Sequence, residues 1–192
     1  MIEAQKSIGE MMTLYEQGVR PLPAMLTDPK ERLLAANLVV EEALEFADAL
    51  GFNAVEQEDG SIKLVPSGRE PDLVKAGDAV GDVLVVTLGG ANRLGISAPD
   101  VFAEVHRSNM SKTWPHCGSC GAELDENDQH SPLRVVREAC PALRPGGNGV
   151  YAVEQRLHKR EEDGKVIKPP TYSKANIKRV LANQKPLPFA TV

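Results

Sequence analysis

Two short acidic clusters set in apolar helical segments are the residues of this chain best placed to do chemistry. Glu41, Glu42 and Glu45 sit within LLAANLVVEEALEFADAL, and Asp78 and Asp82 within DLVKAGDAVGDVLVVTLGG. The other residues of both segments are mostly apolar, which predicts that both helices are buried in a bundle. Carboxylates in such a place need counter-charge. At about 100° per residue the three glutamates fall within a wedge of roughly 100° on one helix, and the two aspartates lie about 40° apart on the other. If the two faces meet, five carboxylates converge and raise one another's pKa unless a cation intervenes. An all-oxygen ligand set suits the hard ions Mg²⁺ and Mn²⁺. For any single glutamate the better reading is the solvated face of an amphipathic helix. Repetition of the cluster, with apolar neighbours each time, tips the balance toward a metal site.

The elements that must position these groups follow from local signals. Residues 2–18 carry Ile2, Ile8, Met11, Met12 and Tyr15 at helical spacing, and Arg20-Pro-Leu-Pro breaks that helix. Asp28-Pro29-Lys30-Glu31 reads as an N-cap, a proline at the first helical position and an acidic first turn, opening a long helix that Gly51 closes. An Asp-Gly turn between short alternating runs predicts a small hairpin before Pro71. Pro71-Asp72 restarts helix as far as Gly95, with Gly89-Gly90 as a close-packing point or kink. Ser97-Ala-Pro-Asp100 caps a fourth helix, residues 99 to about 112, with Val101, Phe102, Val105 and Met110 on its inner side. Ser173 is expected to cap a short last helix over residues 175–184. The sum is an all-α core with a minor β-hairpin.

The chain has 192 residues, enough for one domain with a real core and a small appendage. Its 22 Lys and Arg against 27 Asp and Glu give a net charge of −5, which argues against gripping nucleic acid through phosphates. The opening MIEAQKSIGEMM has no basic region followed by an apolar stretch, and the longest apolar run, residues 83–88, is far too short to span a bilayer. A cytoplasmic protein with no membrane association is expected.

Residues 116–149 change character, being rich in Gly, Pro, Cys and polar residues. Cys117-Gly-Ser-Cys120-Gly has the shape of a zinc knuckle, in which the glycine after the second cysteine allows a tight turn. Cys140 is the available third ligand, with His116, His130 or His158 as the fourth. The spacing is irregular and there is no second CxxC, so structural Zn²⁺ and a flexible loop carrying free thiols stand side by side. Taken singly, His130 and His158 read as surface residues.

The pattern EE-x-x-E, then D-x-x-x-D, then EVHRSNMSK (104–112) and DGKVIKPPTYS (163–173), resembles the all-α nucleoside triphosphate pyrophosphohydrolases. That superfamily includes the MazG proteins, dimeric dUTPases and phosphoribosyl-ATP pyrophosphohydrolase. The likeness is strongest to the MazG-like branch described as phosphoribosyl-ATP-pyrophosphohydrolase-like, and it covers roughly residues 1–115 and 151–182. The resemblance implies a MazG-like bundle of four main helices plus a short C-terminal one, formed by residues 1–115 and 150–192, with 116–149 as an insert. It implies a homodimer or dimer of dimers. Mg²⁺ would be held by Glu42, Glu45 and Asp82, with Glu41 matching a further glutamate of this branch. Many relatives have Glu where this chain has Ala79, and Asp78 on the same face is the natural substitute.

The implied reaction is hydrolysis of a (deoxy)nucleoside triphosphate between the α and β phosphates, giving a monophosphate and pyrophosphate, with Glu41 or Glu42 as general base. Within SNMSK and KPPTYS, the resemblance makes Lys112 a phosphate contact and Asn109 a base or ribose contact, while Lys168 and Tyr172 close over the nucleotide or simply pack on the bundle. The alternatives are phosphoribosyl-ATP hydrolysis, or a non-catalytic helical protein whose Cys-containing insert binds a partner through zinc, with Arg134, Arg137 and Arg144 as a local basic patch.

Overall fold

The computed structural model describes residues 1–131 and 134–190, the side chains of 134–136 excepted. The chain is helix-rich, with two small antiparallel hairpins, and divides into two compact units. Unit 1 is Met1–Phe102 with Lys178–Val192, and unit 2 is Ala103–Ile177. Among the described residues no helix is long and apolar enough to cross a membrane.

Unit 1 holds α1 (Ile2–Leu14), α2 (Pro29–Ala49), the hairpin β1 (Phe52–Glu56) and β2 (Ile62–Pro66), α3 (Leu73–Leu94), the start of α4 (Ala98–Met110) and nearly all of α6 (Ile177–Asn183). The caps form as the residue types dictate. The Asp28 carboxylate accepts from the Lys30 N–H with Pro29 in the first turn, and the Asp72 carboxylate accepts from Val74 and Lys75. Gly95 ends α3 in the left-handed region at φ 66°, where a Cβ would stand 2.1 Å from the Leu22 carbonyl oxygen. β1 and β2 pair from Phe52↔Pro66 to Glu56↔Ile62, and almost all of the hairpin is exposed, so its role is to return the chain. Arg69 closes its base by bonding Asp48 and Asn53.

The interior of unit 1 contains a buried amide network as well as apolar side chains such as Met12, Leu26, Ala76, Ala79 and Leu88. Gln5 donates to the Asn92 side chain (3.0 Å) and the Ile96 carbonyl (2.7 Å), and accepts from the Ala98 N–H (3.0 Å). Asn92 donates back to the Gln5 carbonyl (3.1 Å). Gln184, just after α6, accepts from the Ser97 N–H and donates to the Gly95 carbonyl, both at 2.7 Å. These bonds satisfy the polar groups of the turn between α3 and α4 and fix that turn to α1 and the C-terminal segment.

Several expectations are corrected. The first helix ends at Leu14 rather than residue 18, because the chain turns at Glu16 with φ 58° and the Gln17 N–H reaches back to Met12. Gly89-Gly90 is not a tight contact: α3 runs through it, a Cβ at Gly89 would lie 3.9 Å from Ile8 and Met12, one at Gly90 would meet nothing within 4 Å, and both glycines line an apolar cavity of about 190 Å³. Phe102, Val105 and Met110 of α4 are exposed, while Ser108 is the buried residue of that helix. Ser173 does not cap the last helix, which starts at Ile177; its N–H instead bonds the Ser111 hydroxyl. The apolar residues of the two acidic segments are not all buried either, since Leu33, Leu34, Val40, Leu44, Val80 and Leu84 are exposed. Their spacing makes an apolar face that is exposed among the described residues.

Unit 2 contains the rest of α4, β3 (Trp114–Cys117), the short α5 (Arg134–Ala139) and β4 (Val153–Arg156). β3 and β4 pair antiparallel from Trp114↔Arg156 to Cys117↔Val153, a second sheet that the pattern of charged residues over 150–166 announced only as strand-like. The small core of this unit is Cys117, Leu124, Cys140 and Ala142, with Leu143 and Tyr151 against it. Of the three arginines expected as a basic patch, the Arg134 side chain lies outside the described residues.

Replacing Gln5 with Ala removes three hydrogen bonds and strands buried partners at Asn92, Ile96 and Ala98. The expected cost is about 3 kcal/mol of unfolding free energy, read from the denaturant midpoint. A loss below about 0.5 kcal/mol contradicts the role given to this network.

Candidate active site and metal centre

The two acidic clusters lie in unit 1 on its two longest helices. The Asp72 N–H donates to the Ala49 carbonyl (2.9 Å), so α3 starts where α2 stops and the pair runs antiparallel. From that junction Glu45 and Glu42 lie four and seven residues back along α2, and Asp78 and Asp82 lie six and ten residues into α3. At 1.5 Å per residue these are heights of about 6, 10, 9 and 15 Å, which sets Glu42 between the two aspartates.

Electrostatics reports the same meeting. The half-buried Glu42 carboxyl is held above its ordinary value by desolvation first, then by the charges of Glu45, Asp82, Glu41 and Asp78. All four other members of the expected site therefore act on Glu42. Among the described residues no ion pair joins any of the five to a lysine or arginine. Carboxylate oxygens are the donors that Mg²⁺ and Mn²⁺ take, so the residue types of the two clusters suit such an ion. Ala79 is only 4% exposed, packed in the interior, while Asp78 is exposed and contributes to the field at Glu42.

Unit 2 brings SNMSK and KPPTYS together. The Ser111 hydroxyl receives the Ser173 N–H (3.0 Å), and Glu104, bound at both oxygens by Arg107, accepts from the Asn176 N–H (2.7 Å). Lys168 lies over the Tyr172 ring, 4.5 Å from its centroid. A hydrogen bond with Ser108 holds the Tyr172 phenol below its ordinary value against mild desolvation, and the charges of Lys168, Lys112 and Lys174 add to the effect. Lys112 also donates to the Asn109 side chain (2.7 Å). All four expected substrate contacts thus belong to one basic group, with Asn109 and Lys168 exposed and Lys112 and Tyr172 half-buried. Lys174 and Ser108 join it. Sequence reasoning missed both, although Lys174 follows KPPTYS directly.

The cysteines form a second centre in unit 2. Cys117, Cys120, Cys140 and His130 offer one donor atom each, all within 4.8 Å of one another. All three cysteines are free. Gly121 turns the knuckle at φ 73° while its N–H bonds the Cys117 carbonyl (2.7 Å), as a glycine after the second cysteine should. Around a tetrahedral Zn²⁺ with ordinary bond lengths, sulfur–sulfur edges are about 3.8 Å and sulfur–nitrogen edges about 3.5 Å. The Cys117–Cys140 sulfurs are 3.8 Å apart, and Cys120 Sγ is 3.3 Å from His130 Nε2. Burial pushes the Cys117 thiol up, but amides of Ser119 and Cys120 and the thiols of Cys120 and Cys140 outweigh it and bring it below its ordinary value. Cys120 is pushed up, by burial first and then by its neighbouring thiols.

His130 is 7% exposed rather than a surface residue. Its Nδ1 is buried without a hydrogen-bond partner, and its ring meets Tyr151 edge-on at 4.6 Å. The fold therefore selects His130 from the three candidate fourth ligands, and its donor set fits zinc.

The chain is helix-rich, and its two longest helices carry the five carboxylates, four of which act electrostatically on Glu42. Residues 13–109, half of the chain, match the model of the phosphoribosyl-ATP pyrophosphohydrolase family, and the chain belongs to that family, within the MazG-like NTP pyrophosphohydrolase superfamily. Membership indicates pyrophosphohydrolase activity on a nucleotide. The matched stretch includes both acidic clusters and α4 as far as Asn109, and stops short of the cysteines and KPPTYS. No curated protein matches the chain.

Raised by its neighbours, the Glu42 carboxyl binds its proton more tightly in the folded than in the unfolded chain. Its contribution to stability is complete below the ordinary value of 4.5 and is lost as pH rises through the raised one. In metal-free buffer Glu42→Gln is expected to melt above wild type at neutral pH and to converge with it in acid, and Mg²⁺ should narrow the neutral gap. Thermal melts across pH test this; a variant that melts lower than wild type at neutral pH contradicts it.

Proposed function

We propose that this protein hydrolyses a (deoxy)nucleoside triphosphate at the α–β phosphate bond in a Mg²⁺-dependent reaction, Mn²⁺ substituting, to give a nucleoside monophosphate and pyrophosphate. The observation that carries this reading is the electrostatic action of Glu45, Asp82, Glu41 and Asp78 on Glu42, with no ion pair from any of the five to a lysine or arginine among the described residues. A triphosphate is itself a polyanion, and it approaches such a face only with divalent cations between.

Glu42, Glu45, Asp78 and Asp82 would hold the ion. When bound, it offsets charge developing on the phosphate oxygens and acidifies the attacking water. Glu41 or Glu42 receives the water proton on a carboxylate oxygen, and Glu42, held above its ordinary value by desolvation and neighbouring charge, suits that role. Lys112 and Lys168 supply positive charge to phosphates, and Asn109 and Tyr172 contact the base or sugar, roles supported by their shared basic group.

The larger assignments follow the same reading. Residues 1–115 and 150–192 form a MazG-like helical domain, and 116–149 form an insert stapled by structural Zn²⁺ on Cys117, Cys120, Cys140 and His130. The exposed apolar residues of α2 and α3 support a homodimer, or a dimer of dimers, in which a second copy covers them. Free thiols fit the reducing cytoplasm.

The second reading, phosphoribosyl-ATP as substrate, is favoured by the description of the matched family, and the same carboxylates would serve it. Purified protein with Mg²⁺ should release pyrophosphate rather than orthophosphate from at least one nucleoside triphosphate, and Glu42→Gln should lower that rate roughly 10²–10⁴-fold. Faster turnover of phosphoribosyl-ATP in a side-by-side assay selects the second reading. No pyrophosphate from a full panel overturns both.

A further inference from the structure

The sheet that carries the cysteines presents a different set of donors on its other face. Neighbouring residues of a strand point to opposite sides, so His116 and Cys117 of β3 face away from each other. On the His116 side, His116, Glu123 and His158 offer donor atoms that all lie within 4.8 Å of one another. We propose that these three residues form a second metal site, for Zn²⁺ or a similar borderline divalent transition ion, with three protein ligands and one open coordination position.

Backbone pairing explains why they meet. β3 has β4 on one side and residue 123 on the other: His116 pairs with Glu154 in the sheet and with Glu123 in an isolated antiparallel bridge. The Cys117 N–H bonds the Ala122 carbonyl and the Leu124 N–H bonds the Pro115 carbonyl, both at 2.8 Å, which fixes Glu123 beside His116. Glu154 is occupied otherwise, accepting from Arg156 at 2.7 Å. His158 lies on the continuation of β4, where the Ile167 N–H bonds its carbonyl (2.7 Å) and the Trp114 indole N–H bonds the Ile167 carbonyl (3.0 Å).

Both rings are held for ligation. His158 stacks on Trp114 with centroids 4.8 Å apart and planes within 10°. His116, 7% exposed, has Nδ1 at 3.0 Å from the Trp114 carbonyl, so Nδ1 carries the proton and Nε2 is left as a lone pair. This is the backbone-carbonyl orientation typical of metal-bound histidine. The two Nε2 atoms face each other at 3.3 Å. Two imidazole nitrogens on one tetrahedral Zn²⁺ stand about 3.3 Å apart. Two imidazoles with one carboxylate exclude Mg²⁺ and Ca²⁺, which take oxygen, and leave out the thiolates that define the neighbouring centre. Three ligands rather than four make an open site, where water or a ligand atom completes the shell.

The test uses the chain's four histidines as reporters. In full-length protein with ¹⁵N-labelled histidine, titrated with Zn²⁺ in the presence of excess Mg²⁺, His116, His130 and His158 should all show metal-bound ring nitrogens, while the His106 ring signals should not change with Zn²⁺. Glu123→Gln and His158→Gln should each weaken the second Zn²⁺ equivalent at least tenfold and leave His130 metal-bound, which also shows that the variants fold. Zn²⁺ on His130 alone, with His116 and His158 joined only by a hydrogen bond to each other, overturns the proposal. So does a second equivalent that neither substitution weakens.

Discussion

Like charge gathered between α2 and α3 is the constraint on which the rest of unit 1 depends. Carboxylates on one helix are easily accommodated in water; five from two helices, with Glu42 desolvated among them, push the helices apart unless the backbone holds them. The junction between Ala49 and Asp72, the hairpin closed by Arg69, and the capping aspartates at both N-termini fix the register of the pair. The Gln5–Asn92 amides hold the far end of α3 to α1. Groups that repel one another and are still held in register suit the proposed cation site, and both clusters lie within the stretch that matches the family.

Unit 2 solves a different problem. Its apolar core amounts to Leu124, Ala142 and two cysteines, with Leu143 and Tyr151 beside them, too little to order a segment so rich in glycine and proline. Its three cysteines and His130 gather within 4.8 Å of one another, and at the structural Zn²⁺ centre proposed for them the binding free energy would be folding free energy. The same sheet then presents two imidazoles and a carboxylate on its opposite face.

Local features were the legible ones. The cap at Asp28-Pro29, the cap at Asp72, the hairpin around Asp59-Gly60 and the end of α3 at Gly95 depend on neighbours within a few residues, and each formed where its residue types required. The clustering of carboxylates on the faces of α2 and α3 could be anticipated because helical angles can be computed without coordinates. What failed depended on something outside the segment. A 3.6-residue pattern identifies an apolar face but not what covers it, so Phe102, Val105 and Met110 were expected inside and are exposed. Spacing could not choose among His116, His130 and His158, because the choice follows from which strand faces which loop. Glu123 gave no signal at all, since only the bridge to His116 brings it into a site. Ala79 looked like a missing ligand; it is buried, while Asp78 beside it is exposed and adds to the field at Glu42.

The central claim is that the carboxylates of α2 and α3 are one divalent-cation site. Mn²⁺ is the probe that reports it directly, because its paramagnetic resonance signal is lost on binding. Wild-type protein should bind Mn²⁺ in competition with Mg²⁺, and Asp82→Asn should weaken that binding at least tenfold while the helical circular dichroism is preserved. Mn²⁺ binding that Asp82→Asn leaves unchanged, in a protein still fully helical, would contradict it.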